Sequence, residues 1–163
     1  MILGVISDTH DQLTMIRKSI ECFRNENVEA VVHCGDFVAP FSAKLFQGLK
    51  CPFFSVFGNN DGERDGLIKV VAPFGELHNP PHIFLIGGKS ILVNHLPVSE
   101  KELSRLNIKP DFILSGHTHR AENALIGGIR FFNPGEACGW ITGEASIGLL
   151  NLSNNEYRKV ILS

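Results

Sequence analysis

Ile2-Leu3-Gly4-Val5-Ile6-Ser7-Asp8-Thr9-His10 opens the chain, and its reading decides the fold. Ile2 to Ile6 is an apolar run that stops abruptly at Ser-Asp-Thr-His. Such a run reads as a central strand, buried on both faces, that ends at a polar site. Sheets of the α/β kind bind ligands just beyond the carboxyl ends of their strands. Asp8 and His10 both suit a divalent metal, one through oxygen and one through nitrogen. A lone Asp-x-His is read more plainly as a helix cap followed by an ordinary loop histidine. That plainer reading weakens because the same device recurs along the chain.

Leu13, Ile16, Ile20 and Phe23 follow at helical spacing, with Arg17, Lys18, Glu21 and Arg24 between them. Val28 to His33 is a second strand, which completes a strand–helix–strand unit and ends in Cys34-Gly35-Asp36. Pro40 to Leu49 reads as a helix with Phe41, Leu45 and Leu49 inward. Phe53 to Phe57 is a third strand, ending in Gly58-Asn59-Asn60-Asp61-Gly62. Arg64 to Phe74 reads as a short helix. The pattern then changes to hairpins: Ile83 to Ile86 with Lys89 to Asn94 across Gly87-Gly88, and Glu122 to Ile126 with Ile129 to Phe132 across Gly127-Gly128. The first hairpin ends in His95. Pro97 and Ser99 open a helix carrying Leu103 and Leu106. Asp111 to Leu114 is a strand that ends in Ser115-Gly116-His117-Thr118-His119, and Asn133 to Glu136 reads as a turn. Ala145 to Leu152 and Tyr157 to Leu162 are the last strands. Helices early and hairpins late point to an α/β sandwich with two sheets.

The 163 residues suit one domain, 1–163, with a sizeable core. With 44% hydrophobic and 20% charged residues the chain reads as soluble and globular. A formal net charge of −2 without a basic block argues against a dedicated nucleic-acid surface, though not against a small phosphorylated substrate. No apolar run approaches the ~18 residues of a membrane span, and no leader precedes the first strand, so a cytoplasmic protein is expected. Cys22, Cys34, Cys51 and Cys138 read as reduced, packed thiols, and Cys34 alone stands beside a candidate ligand.

Asp8, His10, Asp36, Asn59, His95, His117 and His119 thus stand at strand or hairpin ends, all oxygen or nitrogen donors and no thiolate. A tetrahedral zinc needs about four ligands and often recruits cysteine. This larger set suits two octahedral ions about 3.5–4 Å apart that share a carboxylate. Mixed imidazole and carboxylate donors favour manganese, iron, nickel or zinc over magnesium or calcium. Taken singly, each residue has a plainer use. His117 and His119 on a strand would be a surface pair, Asn59 a left-handed turn residue, Asp36 a helix cap. Together they would require unrelated accidents at five strand ends. His33, inside a strand with its side chain directed away from that of Cys34, and His78 and His82, in a Pro-rich loop, are read as non-ligands.

Asp8-Thr9-His10, Gly35-Asp36, Gly58-Asn59-Asn60-Asp61, His95 and Gly116-His117-Thr118-His119 resemble, in order, the motif blocks of the calcineurin-like metallophosphoesterase superfamily. Asn133-Pro134-Gly135-Glu136 and Asn60-Asp61-Gly62-Glu63 are similar to its small prokaryotic phosphodiesterase branch. The resemblance implies a four-layer α/β/β/α sandwich with two mixed β-sheets and the site at the strand ends between them. It implies that Asp8, His10 and His119 bind one metal and Asn59, His95 and His117 the other, with Asp36 bridging. Asp61 would be an acceptor behind the ligands. The implied cofactors are two divalent transition-metal ions, manganese first, with nickel, iron and zinc as alternatives. The implied reaction is hydrolysis of a small phosphodiester by a metal-bridging hydroxide.

Two departures from the family pattern stand out. Relatives commonly carry His after the ligand Asn, where it is the usual candidate for leaving-group acid; Asn60 occupies that position. Leu96-Pro97 replaces the common Gly-His after the ligand His. Asn60 and Arg120 are expected near the substrate, and Arg64 is a further candidate cation. The alternatives to a phosphodiesterase are a phosphomonoesterase or a non-catalytic protein-interaction scaffold of the same fold, and the intact ligand set argues against the scaffold. Phe131, Phe132, Trp140 and Ile141 are read as core packing, with a homo-oligomer contact as the other use.

Overall fold

The structure, a computed structural model, describes residues 1–106 and 109–163. β1 (Ile2–Ile6), α1 (Leu13–Asn25) and β2 (Ala30–His33) make the first parallel unit, with Leu3 opposite Ala30 and Ile6 opposite His33. α2 (Pro40–Ala43) and a 3-10 segment (Lys44–Gly48) lead to β3 (Phe53–Val56), and α3 (Arg64–Val71) leads to β4 (Gly75–His78). β5 (His82–Ile86) and β6 (Lys89–Val93) form a hairpin. α4 (Glu100–Leu103), β7 (Phe112–Leu114), β8 (Ala121–Ile126), β9 (Ile129–Pro134), β10 (Ser146–Asn151) and β11 (Glu156–Ile161) complete the order. One sheet runs β11-β10-β1-β2-β3-β4 and the other β5-β6-β7-β9-β8. Both are mixed: β1 is parallel to β2 but antiparallel to β10, and β7 is parallel to β6 and β9 while β8 is antiparallel to β9.

Side-chain alternation along the strands builds the layers. On β1, Leu3 and Val5 face the second sheet, and Ile6 faces the helices. Leu3, Val5 and Val32 meet Ile91, Val93, Phe112, Leu114 and Phe132 between the sheets. Ile16, Ile20 and Phe23 of α1 and Leu67 of α3 cover the outer face of the first sheet. Leu103, from α4, covers Leu92, Ile113 and Phe131 on the outer face of the second. Ser99 caps α4, its hydroxyl accepting from Glu102 N while the Glu102 carboxylate accepts from Ser99 N. The expected four-layer α/β/β/α sandwich is present.

Several expectations are corrected. The 40–49 helix tightens to a 3-10 segment after Ala43, which rotates the register. Ser42, Ala43 and Phe46 are therefore the buried positions, and Phe41 is exposed. The 64–74 helix stops at Val71, and β4 follows as an edge strand whose only large apolar residue, Leu77, left no periodic signal. His78 and His82 accordingly lie in β4 and β5 rather than in a loop. β2 begins at Ala30, not Val28, and β9 runs through Asn133 and Pro134 before the chain turns. Phe131 and Phe132 are core residues, whereas Trp140 and Ile141 are exposed. No helix among the described residues is long and apolar enough to cross a membrane.

Gly4 is where α1 touches the sheet most closely: a Cβ there would lie 2.7 Å from the Phe23 ring. Phe23 is fully buried, so its ring must shift to admit a Cβ. Gly4→Val is expected to lower the unfolding free energy by about 1–3 kcal/mol, measured by urea denaturation.

Candidate metal centre

β1, β2 and β3 are neighbouring parallel strands, so the loops after Ile6, His33 and Val56 leave from one edge of the first sheet. β6 and β7 are parallel neighbours in the second sheet and deliver His95, His117 and His119. Hydrogen bonds across the gap join the two edges. The Asp8 carboxylate accepts from His117 N at 3.0 Å, and His95 Nδ1 lies 2.9 Å from the Cys34 carbonyl. All seven expected ligands therefore gather at one end of the sandwich. His117 and His119 belong to the loop after β7, not to a strand.

The loops are held in uncommon backbone conformations. Asp8, His10, Asp36, His117 and His119 have φ of 52°, 38°, 62°, 67° and 61°, and Val38 has 87°. Non-glycine residues avoid this region, and β-branched ones avoid it most. Hydrogen bonds impose it. Asp8 N donates to Gly35 O, Thr9 N and His10 N to Asp36 O, and Asp11 N to Phe37 O. The buried Asp61 carboxylate accepts from Gly58 N (2.7 Å), Val38 N (2.8 Å) and Asp36 N (3.1 Å). The structure thus sets Asp61 on three backbone amides rather than on a ligand side chain. Gly58 is required there, because a Cβ would lie 2.0 Å from Asp36 Oδ1. Beneath the loops, His33 Nδ1 accepts from Gly35 N, and its Nε2 faces the Thr9 hydroxyl at 3.1 Å. Burial holds His33 well below the usual imidazole range, and its ring stacks on Phe37.

Inside this frame, atoms that carry lone pairs face one another. With Nδ1–H donated to Cys34 O, His95 Nε2 is bare, and it lies 2.9 Å from Asn59 Oδ1 and 3.3 Å from Asp36 Oδ2. His117 Nδ1 also lies 2.9 Å from Asn59 Oδ1. With Nδ1–H donated to Glu136, His119 Nε2 faces Asp8 Oδ1 at 3.4 Å. His10 Nε2 is buried without a hydrogen-bond partner, 3.5 Å from Asp36 Oδ2 and 3.8 Å from Asp8 Oδ1. Where both atoms carry lone pairs, such spacing is repulsive unless a proton or a metal ion lies between them. An octahedral ion with bonds of about 2.1 Å puts neighbouring donor atoms about 3 Å apart. Asp8, His10 and His119 form one group of this kind, and Asp8, Asp36 and His95 another. The residues present fit a divalent metal.

The electrostatics agree. Burial pushes the Asp36 carboxyl up, but His95 and the two Asn60 donors outweigh it and hold it well below the usual carboxylate range. The Asp8 carboxylate raises His10 against the opposing effect of burial. Burial lowers His95, and Asp36 more than compensates. Ionised carboxylates among imidazoles that they draw toward positive charge make a site that favours a cation.

Glu136 is the residue that sequence reasoning did not place at the site. It is fully buried and accepts from His119 Nδ1 at 2.8 Å, Cys138 Sγ, the amides of Trp140, Ile141 and Thr142, and the Thr142 hydroxyl. Burial raises its carboxyl, but these donors bring it down to about 2. The carboxylate–histidine pair fixes the His119 tautomer. Its only signal was its place in the Asn133–Glu136 block. Cys138, not Cys34 alone, stands beside a ligand: with His119 and Glu136 it forms a third group of donors. Burial and Glu136 push its thiol up to about 12, and all four cysteines are free. Asn60 places its amide N on Asp36 Oδ1 and its side-chain Nδ2 on Asp36 Oδ2. Arg64 lies over the Phe57 ring and bonds Asp61 O and Asn79. Arg120 is exposed. His78 and His82 stack on each other.

The model of the calcineurin-like phosphoesterase superfamily domain matches residues 1–155. A phosphodiesterase of Methanocaldococcus jannaschii is 38% identical over 168 aligned positions, covering 99% of each chain. The solved structure of an archaeal phosphodiesterase superposes with a TM-score of 0.91 at 36% identity, over 99% of this chain and 100% of that one. A phosphoesterase from Escherichia coli shares the fold, with a TM-score of 0.69 at 21% identity over the whole of both chains.

Asp61→Ala leaves the amides of Asp36, Val38 and Gly58 without their acceptor. It is expected to lower the unfolding free energy by at least about 2 kcal/mol, measured by urea denaturation. Manganese affinity, measured by calorimetry, is expected to fall about 10–100-fold.

Proposed function

The chain belongs to the calcineurin-like phosphoesterase superfamily, and from that premise we propose that residues 1–163 form one domain that hydrolyses a small phosphodiester at a site for two metal ions. The coarser activity, metal-dependent hydrolysis of a phosphoric ester, follows from the family. The dinuclear reading is carried by one observation: Asp36 Oδ2 lies 3.5 Å from His10 Nε2, which has no hydrogen-bond partner, and 3.3 Å from His95 Nε2. A single oxygen shared by two donor groups is what a bridging carboxylate needs. Asp8, His10 and His119 would hold one ion, and Asn59, His95 and His117 the other.

Two ions so held supply a water of lowered pKa and neutralise charge on the phosphoryl oxygens. The chain's own residues prepare the site for this. Cys34 O and Glu136 hold the imidazoles of His95 and His119 with Nε2 directed inward. Asn60 orients the Asp36 carboxylate through both of its oxygens. No imidazole follows Asn59, so the position from which relatives are expected to protonate the leaving group carries an amide, which does not do so near pH 7. Arg64 is engaged with Phe57, Asp61 and Asn79, which draws its guanidinium toward the loop after β3.

Metal-stripped protein is expected to be inactive on bis-p-nitrophenyl phosphate and to regain activity with manganese, nickel or zinc more than with magnesium. Asp36→Asn is expected to remove at least about 100-fold of it. No recovery with any ion in folded protein would sink the proposal. With no leaving-group acid, turnover of p-nitrophenyl diesters is expected to exceed that of alkyl phosphates by more than about 100-fold. A flat dependence on leaving-group pKa would show that another residue protonates the leaving group.

A further inference from the structure

Trp140 is the only tryptophan of the chain, and it is 61% exposed; Ile141 beside it is 73% exposed. The segment that carries them is fixed at several points. Ala137 N donates to Ser7 O and Cys138 N to Asp8 O, which ties the segment to the loop after β1. Trp140 N and Ile141 N donate to the buried Glu136 carboxylate at 3.1 and 3.0 Å. The same carboxylate holds the ligand His119. The backbone that carries the indole is therefore built into the frame of the metal centre.

The Trp140 ring centroid lies 6.3 Å from that of His10, tilted by 31°, and the His10 ring stacks on His119 at 5.1 Å and 24°. Two of these three rings are candidate ligands. The third has no atom that binds a metal, since indole offers only an N–H donor. It is not a core residue either. An aromatic side chain presents at most about 250 Å², so Trp140 and Ile141 together fall well short of the ~800 Å² per partner of a stable subunit interface. What remains is an aromatic wall on a fixed backbone, one ring away from a candidate metal ligand. A group attached to a phosphoryl centre bound over the site that His10 and His119 line would lie beside it.

We propose that Trp140, with Ile141, is a stacking wall for a planar aromatic ester group, so that the preferred substrates are phosphodiesters bearing an aryl or nucleobase substituent. This rests on the phosphodiesterase reading above. A π-face accepts any flat ring, so the wall selects for aromatic character rather than for one base. The ester group concerned is the one retained on phosphorus as well as the one that leaves.

Because Trp140 is the sole tryptophan, its emission reports directly on this position, without catalysis. Protein with manganese present is titrated with phenyl phosphonate and with methyl phosphonate. The phenyl compound is expected to shift or quench the emission at about tenfold lower concentration. In parallel, phenyl p-nitrophenyl phosphate and methyl p-nitrophenyl phosphate are compared, which share a leaving group. Wild type is expected to favour the phenyl ester in kcat/KM, chiefly through KM. In Trp140→Ala the phenyl-to-methyl ratio falls about tenfold, and in Trp140→Phe most of it returns. Equal kcat/KM on the two esters with no emission response overturns the wall while leaving the phosphodiesterase intact. An equal loss on both esters in Trp140→Ala overturns it too, by making Trp140 a structural support of the centre. Emission that follows protein concentration rather than ligand assigns Trp140 to self-association and overturns it as well. A phenyl-specific emission response without hydrolysis of either ester keeps the wall and overturns the phosphodiesterase reading alone.

Discussion

Buried carboxylates are costly unless donors or cations surround them, and this protein buries Asp8, Asp36, Asp61 and Glu136 in one cluster of loops. Their needs differ, and the difference organises that end of the molecule. Asp61 and Glu136 are met by donors from the chain, so each draws several backbone amides to itself. Asp61 gathers the loops after β2 and β3, and Glu136 gathers the segment after β9 together with His119. Asp8 and Asp36 are met only in part. Around them stand imidazoles whose Nδ1 is already bonded elsewhere or, for His10, whose Nε2 has no partner. The fully paired carboxylates build the frame, and the others face its centre.

The frame explains the strained backbone. Non-glycine residues of positive φ occur mainly at Asp8, His10, Asp11, Asp36, Val38, His117 and His119. Such conformations cost of order 1–3 kcal/mol each and persist only where the surroundings over-determine them. Here the surroundings are the amide donors gathered by Asp61, the carbonyls of Gly35, Asp36 and Phe37, and the buried chain of His33 and Thr9. A ligand side chain mounted on a backbone held in this way has little freedom, which is what a metal centre requires of its donors. Trp140 shares the restraint because Glu136 serves both the ligand and the segment that displays the indole.

Much of this could be read from residue order. Apolar runs ended by Asp-x-His, Gly-Asp, Gly-Asn-Asn-Asp and Gly-His-x-His announce strands that stop at donors, because a buried parallel strand is built mainly from apolar residues. The hairpins at Gly87-Gly88 and Gly127-Gly128 were legible because paired glycines suit the tight turn that twisted strands need. The errors fell where several conformations satisfy the same residue pattern. Phe41, Leu45 and Leu49 have helical spacing, yet a change of turn after Ala43 moves Phe41 outward. β4 is an edge strand with little to bury, so no periodicity marked it.

The order of apolar and polar residues by itself determined that strands deliver oxygen and nitrogen donors to their carboxyl ends, and thereby the fold class and the candidate ligands, since strand periodicity and donor chemistry are local properties. Only the tertiary structure decided how those donors are held. That His33 supports a loop rather than binding an ion, that Asp61 clamps amides of the loop after β2, and that Asn60 turns its amide to Asp36 depend on neighbours 23 to 25 residues away. Glu136 was hidden for the same reason. Its meaning lies in its contact with His119, 17 residues away, and in the segment it folds around itself. Trp140 looked like core because tryptophan is apolar; it faces outward because the carboxylate at position 136 bonds the backbone beneath it.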